Sequence, residues 1–265
     1  MIKKYYVIGN PIDHSLSPKL HNFWFEQNNI RATYKKKKIN NNNLQSIISE
    51  IKEKKINGIN VTVPFKKAVI PYLDELSSEA EQTQSVNTIF LHNNNLIGHN
   101  TDIAGFTKAI ENLNFKIAGK KVFILGAGGV VPSIIFALKK MNVSKITVSN
   151  RTKQNAEDLK LRFHNLEVLD WGKITDFDVV INATSLGLNK ETINLDFSQS
   201  GNDKLYYDVI YNPGVTNFLK EAKKFGNKTE NGKLMFVYQA LEAFKLWHGI
   251  EPPINNETLE ILNND

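Results

Sequence analysis

A lysine at position 66, an aspartate at 102 and glycines at 126, 128 and 129 are the residues whose types and settings can do chemistry in this chain. Lys66 closes the run I-N-V-T-V-P-F-K. A strand halted by Pro64, which cannot donate to a sheet ladder, would deliver that lysine to the carboxyl edge of a sheet, where open α/β folds bind ligands. Its neighbour Lys67 would point elsewhere, into solvent. Asp102 closes the segment N-T-D at a junction between two series of elements. A lysine and an aspartate facing one cleft form an ion pair whose ammonium can protonate a ketone oxygen as hydride arrives. A purely structural salt bridge is the alternative, and sequence spacing leaves it open.

The glycines lie in V-F-I-L-G-A-G-G-V-V-P, after a buried strand and before a helix. Small residues there let the backbone approach a pyrophosphate at the helix N-terminus. Val131 and Pro132 stand where the third glycine of the usual fingerprint would be. Proline is tolerated in a first helical turn, so the departure bears on helix–sheet packing and not on whether the helix forms. The next strand ends T-V-S-N-R-T, with Asn150 and Arg151 in place of an acid that would bind ribose hydroxyls. An arginine there can pair bidentately with a 2′-phosphate, which points to NADP. I-N-A-T-S-L-G at 181–187 either lines the same cleft or is a plain Ser/Thr turn.

Ser15 and Ser17 precede a helix starting near Pro18, where two hydroxyls can cap the helix or bind an anionic group. His14 and His21 flank that turn, but no third ligand follows at metal-binding spacing. Both read as satisfied structural histidines, and the chemistry as metal-free.

The elements that must position these groups alternate. Strand-like and helical stretches follow in turn over 5–9, 18–28, 32–39, 44–54 and 58–63, which predicts a βαβ arrangement with a largely parallel sheet. The Asn runs at 40–43 and 93–95 read as loops, the second inside a hairpin over 86–98. A helix over 103–113 leads into apolar strands at 121–125, 145–149, 178–182 and 205–210, the rhythm of a doubly wound nucleotide-binding domain. The late helix L-M-F-V-Y-Q-A-L-E-A-F-K-L-W-H is too strongly patterned for a tail and is expected to return to the first domain. The chain is thus read as α/β with two domains, 1–102 plus 238–265 and 103–237.

Composition narrows the partners. The 265 residues carry a net charge of +6, which suits an anionic ligand without choosing one. The basic run Lys35–Lys38 lies in a strand and reads as edge protection, since no nucleic-acid motif accompanies it. The absence of cysteine excludes disulfides and a thiol nucleophile and fits a reducing compartment. Neither a signal-like apolar run at M-I-K-K-Y-Y-V nor a span of ~20 apolar residues is present, so a cytoplasmic protein with no membrane partner is expected.

Taken together the blocks G-N-P-I-D-H-S-L-S-P, N-V-T-V-P-F-K, V-N-T, N-T-D, G-A-G-G, N-R-T, N-A-T-S, Y-D-V-I-Y and G-K-L-M-F-V-Y-Q resemble the shikimate dehydrogenase family, in the family's order and over nearly the whole chain. The resemblance implies NADPH-dependent reduction of the C3 ketone of 3-dehydroshikimate to shikimate, in the route to aromatic amino acids. It also implies an N-terminal substrate domain, a Rossmann-like NADP domain and a monomer or homodimer. Carried over by position, Ser15, Ser17, Thr62, Asn87, Asp102, Tyr211 and Gln239 would bind substrate, with Lys66 as the acid/base group beside Asp102. Gly126, Ala127, Gly128, Gly129 and Val130 would cradle the pyrophosphate. Asn150, Arg151, Thr152 and Lys153 would hold the 2′-phosphate, and Val209 and Gly232 would lie near the nicotinamide. Where the family often has a second arginine beyond N-R-T this chain has Lys153, Gln154 and Asn155, and His99 stands where an acid is common. Rival readings are a quinate/shikimate dehydrogenase using NAD or NADP and a catalytically silent ligand-binding homologue. Ser17 and Arg151 favour the shikimate reading over quinate.

Overall fold

The computed structural model describes residues 2–189, 191–198 and 200–263. It divides into two units, residues 1–105 with 237–265 and residues 106–236. The divisions fall within helices, α4 (Asp102–Asn112) and α8 (Lys233–His248).

The first unit starts with β1 (Lys3–Gly9), α1 (Ser17–Gln27), β2 (Ala32–Lys38), α2 (Leu44–Lys52) and β3 (Gly58–Val61). It continues with β4 (Glu75–Leu76), α3 (Ser78–Thr83), and the hairpin β5 (Thr88–His92) and β6 (Asn95–His99). Helix α2 forms because Leu44, Ile47, Ile48 and Ile51 recur at helical spacing, and all four are buried. The sheet order is β2-β1-β3-β5-β6-β4. β1 pairs in parallel with β2 and β3, but β3–β5 and β5–β6 are antiparallel. With β4 parallel to β6, three of the five pairings are parallel, and the sheet is mixed through the hairpin β5–β6. A two-residue turn joins β5 to β6, because Asn93 and Asn94 both take left-handed φ, 47° and 66°. Residues 41–43 of the other Asn run form a short 3₁₀ turn leading into α2, where a loop was expected.

β2 is an outer strand, and Lys35, Lys36 and Lys38 are exposed along it, as edge protection requires. The C-terminal part of α8 packs on this sheet: Trp247 lies 4.8 Å from the Tyr5 ring, and a Cβ on Gly58 would stand 2.7 Å from its Nε1. α9 (Asn256–Glu260) follows, capped by the Asn255 side chain.

The second unit contains β7 (Lys121–Leu125), α5 (Val131–Lys140), β8 (Lys145–Ser149), α6 (Lys153–Arg162) and β9 (Leu166–Leu169). After these come β10 (Val179–Asn182), β11 (Leu205–Asp208), α7 (Asn217–Lys224) and β12 (Lys228–Glu230). All pairings are parallel in the order β12-β11-β10-β7-β8-β9. This is the doubly wound dinucleotide-binding order, with its reversal between β7 and β10. Continuous apolar runs such as V-V-I in β10 suit strands covered on both faces. Pro132 sits in the first turn of α5, and Val131, Ile134, Ile135 and Leu138 are fully buried, so helix–sheet packing survives the missing third glycine. Among the described residues no helix is long and apolar enough to cross a membrane.

Candidate active site

In the first unit the chain runs from β1 to β2 on one side and then to β3 on the other. The strand order therefore reverses between β1 and β3, the place where open sheets present their crevice. The two strand ends meet closely: a Cβ on Gly9 would stand 2.5 Å from Thr62 Cγ2, and Asn10 N donates to Val63 O at 3.0 Å. β3 ends at Val61, two residues short of the expected end at Val63, and a turn follows in which Phe65 N donates to Thr62 O at 2.9 Å. That turn leaves Thr62 half-buried, Lys66 buried and Lys67 exposed.

Lys66 Nζ lies 2.5 Å from Asp102 Oδ2, with both side chains no more than 10% exposed. Asp102 is fixed from two further sides: its Oδ1 accepts from Asn87 Nδ2 at 2.9 Å and its backbone N donates to Asn100 Oδ1 at 3.1 Å. The orientation of the Asn87 amide follows from its neighbours. Its Oδ1 faces Thr101 N, an obligate donor, at 2.8 Å, so Nδ2 must face the carboxylate. Behind Asn87 a buried chain continues, with Thr88 Oγ1 donating to Asn87 Oδ1 at 3.1 Å and accepting from Asn60 Nδ2 at 3.0 Å. Tyr34 Oη donates to Asn60 Oδ1 at 2.6 Å. Asn87 Nδ2 also reaches Gln239 Oε1 at 3.5 Å. Tyr34, Asn60, Thr88 and Thr101 are not singled out by the sequence; N-V-T-V-P, V-N-T and N-T-D contain three of them, but only contact reveals their connection.

Ser15 and Ser17 are both 7% exposed, and their hydroxyls are 3.2 Å apart. Neither caps α1, whose N-cap is Leu16 with no side-chain bond. Ser15 Oγ instead accepts from Ser17 N at 3.3 Å. The two hydroxyls thus sit paired at the start of a helix, where the backbone field favours an anion. His14 is exposed. His21 departs from expectation: it is fully buried, and neither ring nitrogen has a hydrogen-bond partner among the described residues. It stacks on Tyr34, centroids 4.3 Å apart, with Trp24 and Trp247 around it. Burial, with a smaller push from His248, drives its pKa down to about 3, so it is neutral. No group of three or more potential metal ligands occurs among the described residues.

In the second unit Gly126 leaves β7 with φ 111°, and a Cβ there would stand 2.7 Å from Ala183 O, at the carboxyl end of β10. No side chain could be accommodated at that approach. Gly128 is exposed with open space before it, leaving room for a bound group at the start of α5. Gly129 is exposed as well, with Ala127 and Val130 part-buried. This cradle at the order reversal fits a dinucleotide pyrophosphate. Asn150 Nδ2 donates to Thr152 O at 2.8 Å, and the Thr152 side chain makes no cap to α6. Arg151 is exposed at the end of β8, whereas Lys153 is engaged with Asp170 at 2.7 Å. Beyond β10, residues 183–187 form a Ser/Thr turn, in which Thr184 Oγ1 donates to Asn182 Oδ1 at 2.7 Å and accepts from Leu186 N at 3.1 Å. Gly232 is pressed on Val209: a Cβ would lie 2.0 Å from Val209 O. Tyr211 is part-buried and stacks on Phe236, centroids 4.5 Å apart.

Known families and proteins match the chain over nearly its whole length. Residues 7–89 match the shikimate dehydrogenase substrate binding domain, 107–203 the shikimate / quinate 5-dehydrogenase family, and 234–256 the shikimate 5'-dehydrogenase C-terminal domain. The shikimate dehydrogenase (NADP(+)) of Pelagibacter ubique is 53% identical over 264 residues, covering 99% of this chain and 100% of that one. This chain belongs to the shikimate dehydrogenase family. Solved shikimate dehydrogenases share its fold throughout. That of Aquifex aeolicus superposes with a TM-score of 0.89 at 35% identity, covering 100% of this chain and 98% of that one. That of Thermus thermophilus, solved with NADP(H) and shikimate, gives 0.90 at 31% identity, covering 99% of each.

Proposed function

We propose that the chain catalyses the reversible NADPH-dependent reduction of 3-dehydroshikimate to shikimate, with Lys66 as the acid/base group. The observation that carries the reading is the buried contact of Lys66 Nζ with Asp102 Oδ2 at 2.5 Å, set beside the crevice of the first sheet. Reduction of a ketone leaves an alkoxide, and an ammonium held in a site poor in water both stabilises that charge and supplies the proton. Bound NADPH supplies the hydride. Lys66 donates its proton to the C3 oxygen; in the oxidative direction its neutral amine takes the hydroxyl proton back. Asp102 holds the ammonium in place, and its own orientation is fixed by Asn87 and Asn100.

Ser15 and Ser17 are assigned to the substrate carboxylate, supported by their paired hydroxyls at the start of α1. Thr62, Asn87, Tyr211 and Gln239 orient the ring and its hydroxyls, so that the carbonyl is presented in one pose. The first unit is assigned as the substrate domain and the second as the NADP domain. Gly126 to Val130 receive the pyrophosphate, Asn150, Arg151 and Thr152 the 2′-phosphate, and Val209 and Gly232 border the nicotinamide. Lys153 assists only when it leaves Asp170. The lack of cysteine and the use of NADPH fit a cytoplasmic enzyme, acting as a monomer or homodimer.

The test is steady-state oxidation of shikimate with NADP, alongside Lys66→Met/Asp102→Asn. Removing both charges avoids stranding a buried carboxylate, which alone would cost about 3–5 kcal/mol. The double variant should fold and lose on the order of 10²–10⁴ in kcat, the usual worth of a general acid. Near wild-type turnover would remove Lys66 from the mechanism, and comparable efficiency on quinate with NAD would overturn the substrate assignment.

A further inference from the structure

Asp208, at the end of β11, is fully buried and has no part in the reaction proposed above. Its Oδ1 accepts from Asn182 Nδ2 and from Ile210 N, each at 3.0 Å, and its Oδ2 accepts from Thr216 Oγ1 at 2.6 Å. Each donor is committed. The Asn182 amide cannot turn, because its Oδ1 already accepts from Thr184 N at 3.1 Å and Nδ2 also serves Leu186 O at 3.1 Å. The Thr216 hydroxyl accepts from Leu219 N at 3.4 Å as the cap of α7, which leaves its proton for Asp208. Burial raises the pKa of Asp208, and these three donors oppose that by favouring its charged form.

One carboxylate therefore joins three segments: the turn after β10, the turn after β11 and the start of α7. These are the segments that close the rim of the second sheet. Val209 N donates to Asn182 O at 2.9 Å, and Gly232 N donates to Ile210 O at 3.1 Å. Gly187, with φ 114°, lies so close that a Cβ would be 3.2 Å from Thr216 Cγ2 and 3.3 Å from Ile210 Cδ1. Ala183 in turn abuts Gly126. A buried group that fixes neighbouring backbone by several charge-assisted bonds sets the shape of a site it does not touch.

We propose that Asp208 is a positioning residue for the nicotinamide half of the cofactor, holding residues 183–187 and 209–211 in the form that receives it. The inference rests on the NADP assignment of this unit. It predicts a selective loss. Adenosine 2′,5′-bisphosphate, which lacks the nicotinamide, reports on the far part of the site alone.

In Asp208→Ala, the Kd of NADPH from its fluorescence should rise about tenfold or more, the scale of a lost charge-assisted bond. The Kd of adenosine 2′,5′-bisphosphate by calorimetry should change by less than about threefold, because the bonds of Asp208 go to Asn182, Ile210 and Thr216 and not to the Gly126 turn. Asp208→Asn should recover part of the NADPH affinity, because its Oδ1 can keep Asn182 and Ile210 while its amide donates to the Thr216 oxygen, whose own proton then loses its acceptor. If Asp208→Ala does not fold, Thr216→Val removes one donor and should show the same selectivity at smaller size. Equal weakening of both ligands, or of neither, overturns the proposal, as does an Asn variant no better than Ala. Absence of shikimate oxidation by the wild-type chain would sink the functional reading instead, while leaving the binding comparison able to judge Asp208.

Discussion

His21 makes stability fall with acid, and by an amount the structure sets. Its folded pKa is held at about 3 against an ordinary 6.5, because the ring is buried among aromatic side chains, with no partner for either nitrogen among the described residues. Between those values the unfolded chain binds a proton that the folded chain refuses. The stabilising effect is therefore fully present above 6.5, declines as pH falls, and is exhausted near 3. The slope is at most about 1.4 kcal/mol per pH unit, so lowering the pH from 7 to 5 should cost about 2 kcal/mol through His21 alone. His248, whose pKa burial and Lys3 push down to about 4, acts in the same direction. The assay compares urea unfolding of the wild type with His21→Phe at both pH values. Phenylalanine keeps the ring against Tyr34 and cannot titrate, while His248 stays in both proteins. The wild type should lose about 2 kcal/mol more than the variant over this interval. Parallel losses would mean that His21 is protonated in the folded state or that its surroundings open readily to water, and the reasoning would fail.

Two further outcomes follow from the second unit. Arg151→Ala should reduce the preference for NADPH over NADH by roughly 10- to 100-fold in kcat/KM, the range for a lost bond to a charged group. An unchanged preference would shift the phosphate to other residues. Gly232→Ala places a methyl 2.0 Å from Val209 O, so the backbone must move; a loss of about 3 kcal/mol in unfolding free energy and weaker NADPH binding are expected. A variant with wild-type melting and affinity would show that this approach is easily relaxed.

Much of the architecture is readable from residue order, and the reasons for the exceptions are physical. The strand at 121–125 announces itself because both faces are covered and its apolar run V-F-I-L is unbroken. β4, β9 and β12 do not: each lies at the edge of its sheet, and sequences such as K-T-E in β12 gain identity only from the strand beside them. The antiparallel pairing of β5 on β3 likewise has no local signature, since both strands would look the same in a parallel sheet. At the candidate site, sequence left Lys66 and Asp102 open between cleft pair and incidental bridge; their contact depends on how β3 and the end of β6 are aligned. Asp208 was visible within Y-D-V-I-Y, but a buried carboxylate is distinguished from a surface one only by what surrounds it. For His21 the sequence predicts a hydrogen-bonded structural histidine, but aromatic stacking on Tyr34 holds the ring with no hydrogen bond to either nitrogen among the described residues.

The tight fit at Gly232 also bears on how the molecule ages. Asn231–Gly232 is an asparagine–glycine step, the dipeptide most prone to spontaneous deamidation, in which the glycine nitrogen attacks the asparagine amide. Here that nitrogen is committed to Ile210 O at 3.1 Å, and the amide is tethered at both ends, donating to Gly214 O at 2.8 Å and accepting from Lys233 N at 3.0 Å. Reaching the cyclic intermediate would require all three bonds to break while Gly232 stays pinned beneath Val209. The fold that shapes this rim thereby also shelters its most perishable peptide unit, so chemical decay there should track unfolding and not storage time.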